Sequence, residues 1–127
     1  MILDSSAVIA LINPKDVHCE DVTASLKANP QKPRILHEVS LAECLVRSSA
    51  RDESDEVLRF MEIMGFEFQS TSGVAGALRV AEIRMKTKLP LPDCYVIDIA
   101  IRLKLPLISF DQKLNVRARE IGIETIF

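Results

Sequence analysis

A chain of 127 residues, 48% hydrophobic and 27% charged, is long enough to bury a core and too apolar for disorder. Its formal charge of −2, from 18 acids and 16 bases, is a poor match to a strongly basic nucleic-acid binder. Three cysteines with no CxxC pair argue against a disulfide framework and read as reduced thiols of a cytoplasmic protein. No apolar run approaches the ~20 residues of a membrane span, and the opening has no charged segment of a signal peptide.

Met1 to Asp4 reads as a short buried strand ending in a polar residue. Ser5 to Ile12 is apolar behind candidate N-caps and predicts a buried helix, stopped by Asn13-Pro14. Asp16 to Ala28 predicts an amphipathic helix with Val17, Val22 and Leu26 inward. Arg34-Ile35-Leu36 is a brief strand. His37 to Ala50 has helical spacing in Val39, Leu41, Ala42, Leu45 and Val46. A charged turn over Arg51 to Glu56 leads into a helix over Val57 to Met64, with Leu58, Met61 and Ile63 as its apolar residues, ended by Gly65. Phe66-Glu67-Phe68 alternates like a strand. Gly73 to Lys88 predicts a helix with Ala77, Val80, Ala81 and Ile83 inside. After Leu89-Pro90-Leu91-Pro92, Asp93 opens a strongly apolar helix reaching Leu103. Leu107-Ile108-Ser109 is a strand, Gln112 to Ile121 a helix capped by Gly122, and Ile123 to Phe127 a closing strand. Strands recurring between helices predict an α/β fold of one domain over residues 1–127, with a mainly parallel sheet covered by helices.

Four acids occupy unusual positions. Asp4 and Asp111 each follow an apolar strand, and ligand sites of open parallel sheets lie at the carboxyl ends of strands. Asp93 begins a helix, where the bland role is an N-cap. Glu43 sits among Leu41, Ala42, Cys44, Leu45 and Val46, and a carboxylate in such company is costly unless paired or metal-bound. Carboxylates held together repel and need a cation between them, and hard oxygen ligands suit Mg²⁺ or Mn²⁺. Such an ion activates water and stabilises phosphoryl displacement, so the chemistry needs no His, Cys or Lys nucleophile.

The same residues carry a family resemblance. Ile2-Leu3-Asp4-Ser5-Ser6-Ala7 resembles the first motif of PIN domains, and Val39-Ser40-Leu41-Ala42-Glu43 the second. Leu91-Pro92-Asp93 with Ile97 and Ala100 resembles the third, and Leu107-Ile108-Ser109-Phe110-Asp111 with Leu114 the fourth. The resemblance implies an α/β/α sandwich, a Mg²⁺ or Mn²⁺ site and endoribonuclease activity. In size the chain is most similar to VapC-type toxins, which implies an RNA substrate and a small antitoxin partner that blocks the site; dimers are common in that type. It also implies Asp4, Glu43 and Asp93 as core ligands, with Asp111 completing the cluster directly or through water. Ser5 and Ser109 would orient carboxylates. Asp98, five residues beyond Asp93, falls on the other side of its helix and outside the site.

Other readings fit less well. An Asp-nucleophile phosphatase wants a second Asp where Ser6 stands, and a phosphoacceptor domain wants an acidic neighbour for Asp4. His18, Cys19, His37, Cys44 and Cys94 match no zinc spacing, and both histidines read as surface or loop residues. A catalytically silent PIN-fold module that binds RNA or acts as a scaffold is the alternative. Candidate phosphate contacts are Arg47, Arg79, Arg84, Lys86, Lys88, Arg102, Lys104, Lys113, Arg117 and Arg119, with Arg47 one turn from Glu43 and placed to pair with it.

Overall fold

Successive side chains of a strand point to opposite faces, and three apolar strands of this chain use both. The computed structural model describes residues 1–127, with the side chain of Arg47 outside what is described. In it β1 (Ile2–Leu3) pairs in parallel with β2 (Arg34–His37) and with β4 (Leu107–Ile108). β2 also pairs in parallel with β3 (Phe66–Gln69), giving the order β3-β2-β1-β4. Ile2, Ile35 and Leu107 share one register row, and Leu3, Leu36 and Ile108 the next. The first row joins one core cluster and the second row the other, so each face of the sheet is covered. This is the expected α/β/α architecture, with every strand pair parallel. Each fully buried side chain of these rows contributes roughly 2 kcal/mol.

The helices follow the predicted order. α1 (Ser5–Ile12), α2 (Cys19–Ala28), α3 (Glu38–Ser49) and α4 (Ser54–Ile63) precede β3; α5 (Gly73–Thr87), α6 (Leu91–Leu103) and α7 (Gln112–Glu120) follow it. Val80 and Ile83 of α5, the inner residues of α6, and Leu114 and Ala118 of α7 cover the first row. Ala7, Val8, Ala10 and Leu11 of α1, Val22 and Leu26 of α2, and Met61 of α4 cover the second.

Several expectations are corrected. α2 starts at Cys19, because Asp16 to His18 form a turn, and Val17 is 85% exposed rather than inward. Leu58 and Ile63 face solvent although they lie in an apolar pattern; only Met61 of that helix is fully buried. Ala77 and Ala81 are also exposed, while Gly76 is buried against Thr71. The closing strand is reduced to a single parallel bridge, Leu107 to Thr125, with Leu107 N–H donating to Glu124 and Ile126 N–H to Leu107. The two long helices α5 and α6 end on lysines in the left-handed region, Lys88 at φ 60° and Lys104 at φ 53°.

Candidate active site

The strand order reverses direction at β1, with β2 and β3 on one side and β4 on the other. The crevice of such a sheet opens where neighbouring strands leave in different directions, at their carboxyl ends. Asp4 follows β1 and Asp111 follows β4, so the fold brings these two acids to that crevice.

Asp4 is the N-cap of α1, with its side chain accepting from Ser6 N–H. It is only 6% exposed. Its Oδ2 accepts from the Ser6 hydroxyl at 2.8 Å and the Ser109 hydroxyl at 3.0 Å, while the two hydroxyls lie 3.2 Å apart. The Phe110 N–H donates to Ser6 Oγ at 3.0 Å, and the Asp111 N–H to Ser109 Oγ at 3.0 Å. Asp111 is the N-cap of α7, its Oδ1 accepting from Lys113 N–H at 2.8 Å and Leu114 N–H at 3.0 Å. Among the described residues Oδ1 of Asp4 and Oδ2 of Asp111 accept no hydrogen bond, so each carboxylate keeps one oxygen free.

Asp93 is not the expected N-cap. Pro90 holds that place, and Asp93 is the third residue of α6, because the helix starts at Leu91 with Pro92 in its first turn. Burial pushes its carboxyl up to about 6, and the charges of Asp4, Asp111 and Glu43 push the same way, against Lys113. Glu43 is half-buried on α3. Beside it the Cys44 thiol lies 3.9 Å from the carbonyl of Ser5, which sets this turn of α3 against the start of α1. Burial raises that thiol to about 12, helped by Asp4 and Glu43, so Cys44 is no nucleophile at neutral pH. The expected pairing of Arg47 with Glu43 lies outside the described residues.

Among the described residues Asp4, Asp93 and Asp111 have no basic side chain within ion-pair distance. Nor do any three acids, histidines or cysteines stand close enough to share one ion. The donor set nonetheless suits a hard divalent cation: all oxygen, with, among the described residues, no ion pair at Asp4, Asp93 or Asp111 and free oxygens on two acids. Like charges without a counter-ion keep apart, and a cation is what draws them in.

The hydroxyl that orients Asp4 from the first motif belongs to Ser6, not Ser5. The available signal was the spacing Asp-x-Ser, which puts Ser6 N–H and Oγ over a capping carboxylate. Buried Asn115 also went unnoticed; its amide donates to the Ser109 carbonyl at 2.9 Å and braces the turn into Asp111. His37 is fully buried rather than a surface residue. Its Nδ1 accepts from Val39 N–H as the cap of α3, and its ring lies 5.1 Å from Tyr95. Burial holds its pKa below the ordinary value.

Asp98 lies outside the cluster, as expected, and is sealed at 1% exposure. Arg79 donates to it at 2.7 Å, Arg102 at 3.0 Å and Thr71 at 2.8 Å. Many of the candidate phosphate contacts are thereby engaged internally. Arg84 bonds the carbonyls of Lys88 and Leu89, Arg117 pairs with Glu120, and Arg119 holds Thr125 and the Phe127 carbonyl. Among the described residues the Lys113 charge reaches Asp93. Among them no helix is long and apolar enough to cross a membrane.

None of the curated proteins compared with the chain matches it. Among solved structures, a toxin-antitoxin complex from Klebsiella pneumoniae is similar at 21% identity and TM-score 0.70, over 88% of this chain and 87% of that one. VapC20 of Mycobacterium tuberculosis, described as a Sarcin-Ricin loop cleaving toxin, is similar at 12% identity and TM-score 0.74, over 96% and 95%. FitAcB from Neisseria gonorrhoeae is similar at 17% identity and TM-score 0.75, over 98% and 94%. At such identities these likenesses establish the fold. The sequence itself matches the PIN domain family over residues 1–120, nearly its whole length, and the chain belongs to that family.

Proposed function

We propose that this protein is a Mg²⁺- or Mn²⁺-dependent endoribonuclease, the toxin of a toxin–antitoxin pair, with Asp4, Glu43, Asp93 and Asp111 as its metal-binding and catalytic carboxylates. The observation that carries the reading is the hydroxyl bracket at the switch point. Ser6 and Ser109 fix one oxygen of Asp4, and Ser109 takes the N–H of Asp111, so one hydroxyl links the two strand ends that carry these acids. Ser donors that hold an acid without neutralising it preserve its charge for a cation. Lys113 adds a positive charge at the rim for a phosphate.

A bound divalent ion supplies neutralisation of charge on the phosphate and a lowered pKa for water. The chain's own part is positional. Asp4 is locked by its hydroxyls and by its place at the start of α1, Asp111 by α7, and Asp93 by the first turn of α6. The toxin–antitoxin part of the proposal draws support from the kind of complexes in which similar folds were solved.

The test is cleavage of single-stranded RNA that stops with EDTA and returns with Mn²⁺. Asp4→Ala should lower turnover at least a thousandfold, roughly 4 kcal/mol in barrier, with an unchanged circular dichroism spectrum. Full metal-dependent cleavage by Asp4→Ala would falsify the mechanism. Growth arrest on expression, relieved by the product of a small adjacent reading frame, tests the toxin role. A second reading, a catalytically silent RNA-binding or scaffold module, is favoured by the absence, among the described residues, of three ligating side chains close enough to share one ion. Calorimetry with Mn²⁺ separates the two, because the silent module binds no ion at Asp4.

A further inference from the structure

The carboxylate cluster is joined to a stack of rings. His18 lies on Phe110 with centroids 4.0 Å apart and planes 11° from parallel, and Phe110 lies on Phe127 at 4.8 Å and 27°. Two near-parallel rings at these separations cannot share one face, so Phe110 is the middle ring and His18 and Phe127 are its ends. Phe110 is part of the site's own wiring. Its N–H donates to the Ser6 hydroxyl that holds Asp4, and the residue after it is Asp111.

His18 is placed unlike a structural residue. It stands at the N-cap of α2, where Ser, Thr, Asp or Asn would satisfy an orphan N–H, yet its side chain makes no capping bond. Its Nδ1 lies at the 4.0 Å limit of an ion pair with Asp21, while its backbone N–H donates to Asp16 Oδ1 at 3.0 Å. The imidazole is held by stacking, and 46% of its side-chain surface stays open. A partly exposed ring stacked on Phe110, whose N–H joins the hydroxyl that holds Asp4, matches how proteins take single-stranded nucleic acid, by laying unpaired bases on rings.

We propose that His18, backed by Phe110 and Phe127, is a positioning residue that stacks a nucleobase flanking the cleaved phosphodiester of a single-stranded RNA. This rests on the ribonuclease reading above. The stack places the strand, and the carboxylates act on its backbone. Recognition of this kind is tolerant of base identity, because every base has a π-face.

The test is steady-state cleavage of a short single-stranded oligoribonucleotide with Mn²⁺. His18→Ala should raise KM roughly tenfold, as loss of one base–ring stack does, with kcat and thermal midpoint unchanged. His18→Phe should restore KM. An abasic nucleotide beside the cleaved bond should raise KM for the wild type and add nothing further in His18→Ala, since the two changes remove one contact. A wild-type KM in His18→Ala overturns the proposal and leaves the stack to a protein partner. So does failure of His18→Phe to rescue, or equal abasic losses in both proteins. In each of those cases the nuclease stands. If the wild type cleaves no RNA under any divalent ion, the ribonuclease reading falls first and this one with it.

Discussion

Asp93 meets both burial and the charges of three other acids, and its carboxyl titrates near 6 instead of the ordinary 3.8. A raised pKa means that the folded state holds this proton more tightly than the unfolded chain. Stability from this group is present at low pH and is lost as pH rises from about 4 through about 6. Asp93→Asn removes that loss. In metal-free protein it should be more stable than wild type above pH 6 by about 1 kcal/mol, a value discounted for the solvent screening of a half-exposed group. Urea midpoints across that pH range check this; parallel curves for the two proteins would contradict it. At this scale the sequence was half legible. Three acids near element ends and one, Glu43, inside an apolar helix could be read from apolar runs and Gly/Pro breaks. Ser6 beside Asp4 and the prolines ahead of Asp93 were local signals outside the apolar pattern, whereas the sealing of His37 depends on contacts between distant segments. Periodicity carries no information about those.

At the scale of the element, Asp111 has two roles that a single substitution can separate. Its Oδ1 caps α7 through two N–H groups, and its other oxygen is free. Asp111→Ser keeps a capping acceptor and removes the charge, whereas Asp111→Ala removes both. The expected outcome is that Ser leaves stability within a few tenths of a kcal/mol while Ala costs about 1 kcal/mol. Both should lose cleavage. Thermal melts and RNA turnover measured on the two variants check it, and a Ser variant with full activity would remove Asp111 from the chemistry. α1, with its Asp4 and its Asn13-Pro14 stop, was read to the residue. α2 was read three residues too long, because the Asp16 to His18 turn has a composition that a helix start also has. Ile123 to Phe127 alternates as a strand does, yet it finds only the short edge of β4 and makes one bridge.

Across the whole molecule, Asp98 ties α6 to its neighbour α5 and to the segment after β3. From α6 it takes Arg79 of α5, Arg102 of its own helix and Thr71 from the segment after β3, and Arg102 also reaches the Ser70 carbonyl. Burial alone would raise its pKa, but the hydrogen bonds from Arg79 and Thr71 and the two guanidinium charges outweigh that and hold it below the ordinary 3.8. A lowered carboxyl pKa stabilises above the unfolded value and is lost as pH falls through the folded one. Asp98→Asn should therefore cost about 2 kcal/mol at neutral pH, the scale for losing charged hydrogen bonds while the two partly exposed guanidiniums keep access to water. It should also blunt the acid-side loss of stability that wild type shows below pH about 4. Urea unfolding at neutral and acid pH decides, and a variant as stable as wild type at both would show the tie to be idle. The parallel α/β/α layering was legible because strand and helix periods alternate along the chain. The burial of Asp98 was not: its helix reads as apolar, and nothing local announces that two arginines and a threonine arrive from elsewhere.

The lysines that close α5 and α6 give the molecule a reserve. The same tripeptide follows both helices, Lys88-Leu89-Pro90 and Lys104-Leu105-Pro106, and each lysine is left-handed without being glycine. A side chain in that conformation costs about 1 kcal/mol. Lys88→Gly and Lys104→Gly should each recover about 0.5 kcal/mol after the added freedom of the unfolded chain is counted, raising the thermal midpoint additively. The protein thus carries spare stability that substitutions remote from its carboxylates can release, and a destabilising change at the site can be offset there.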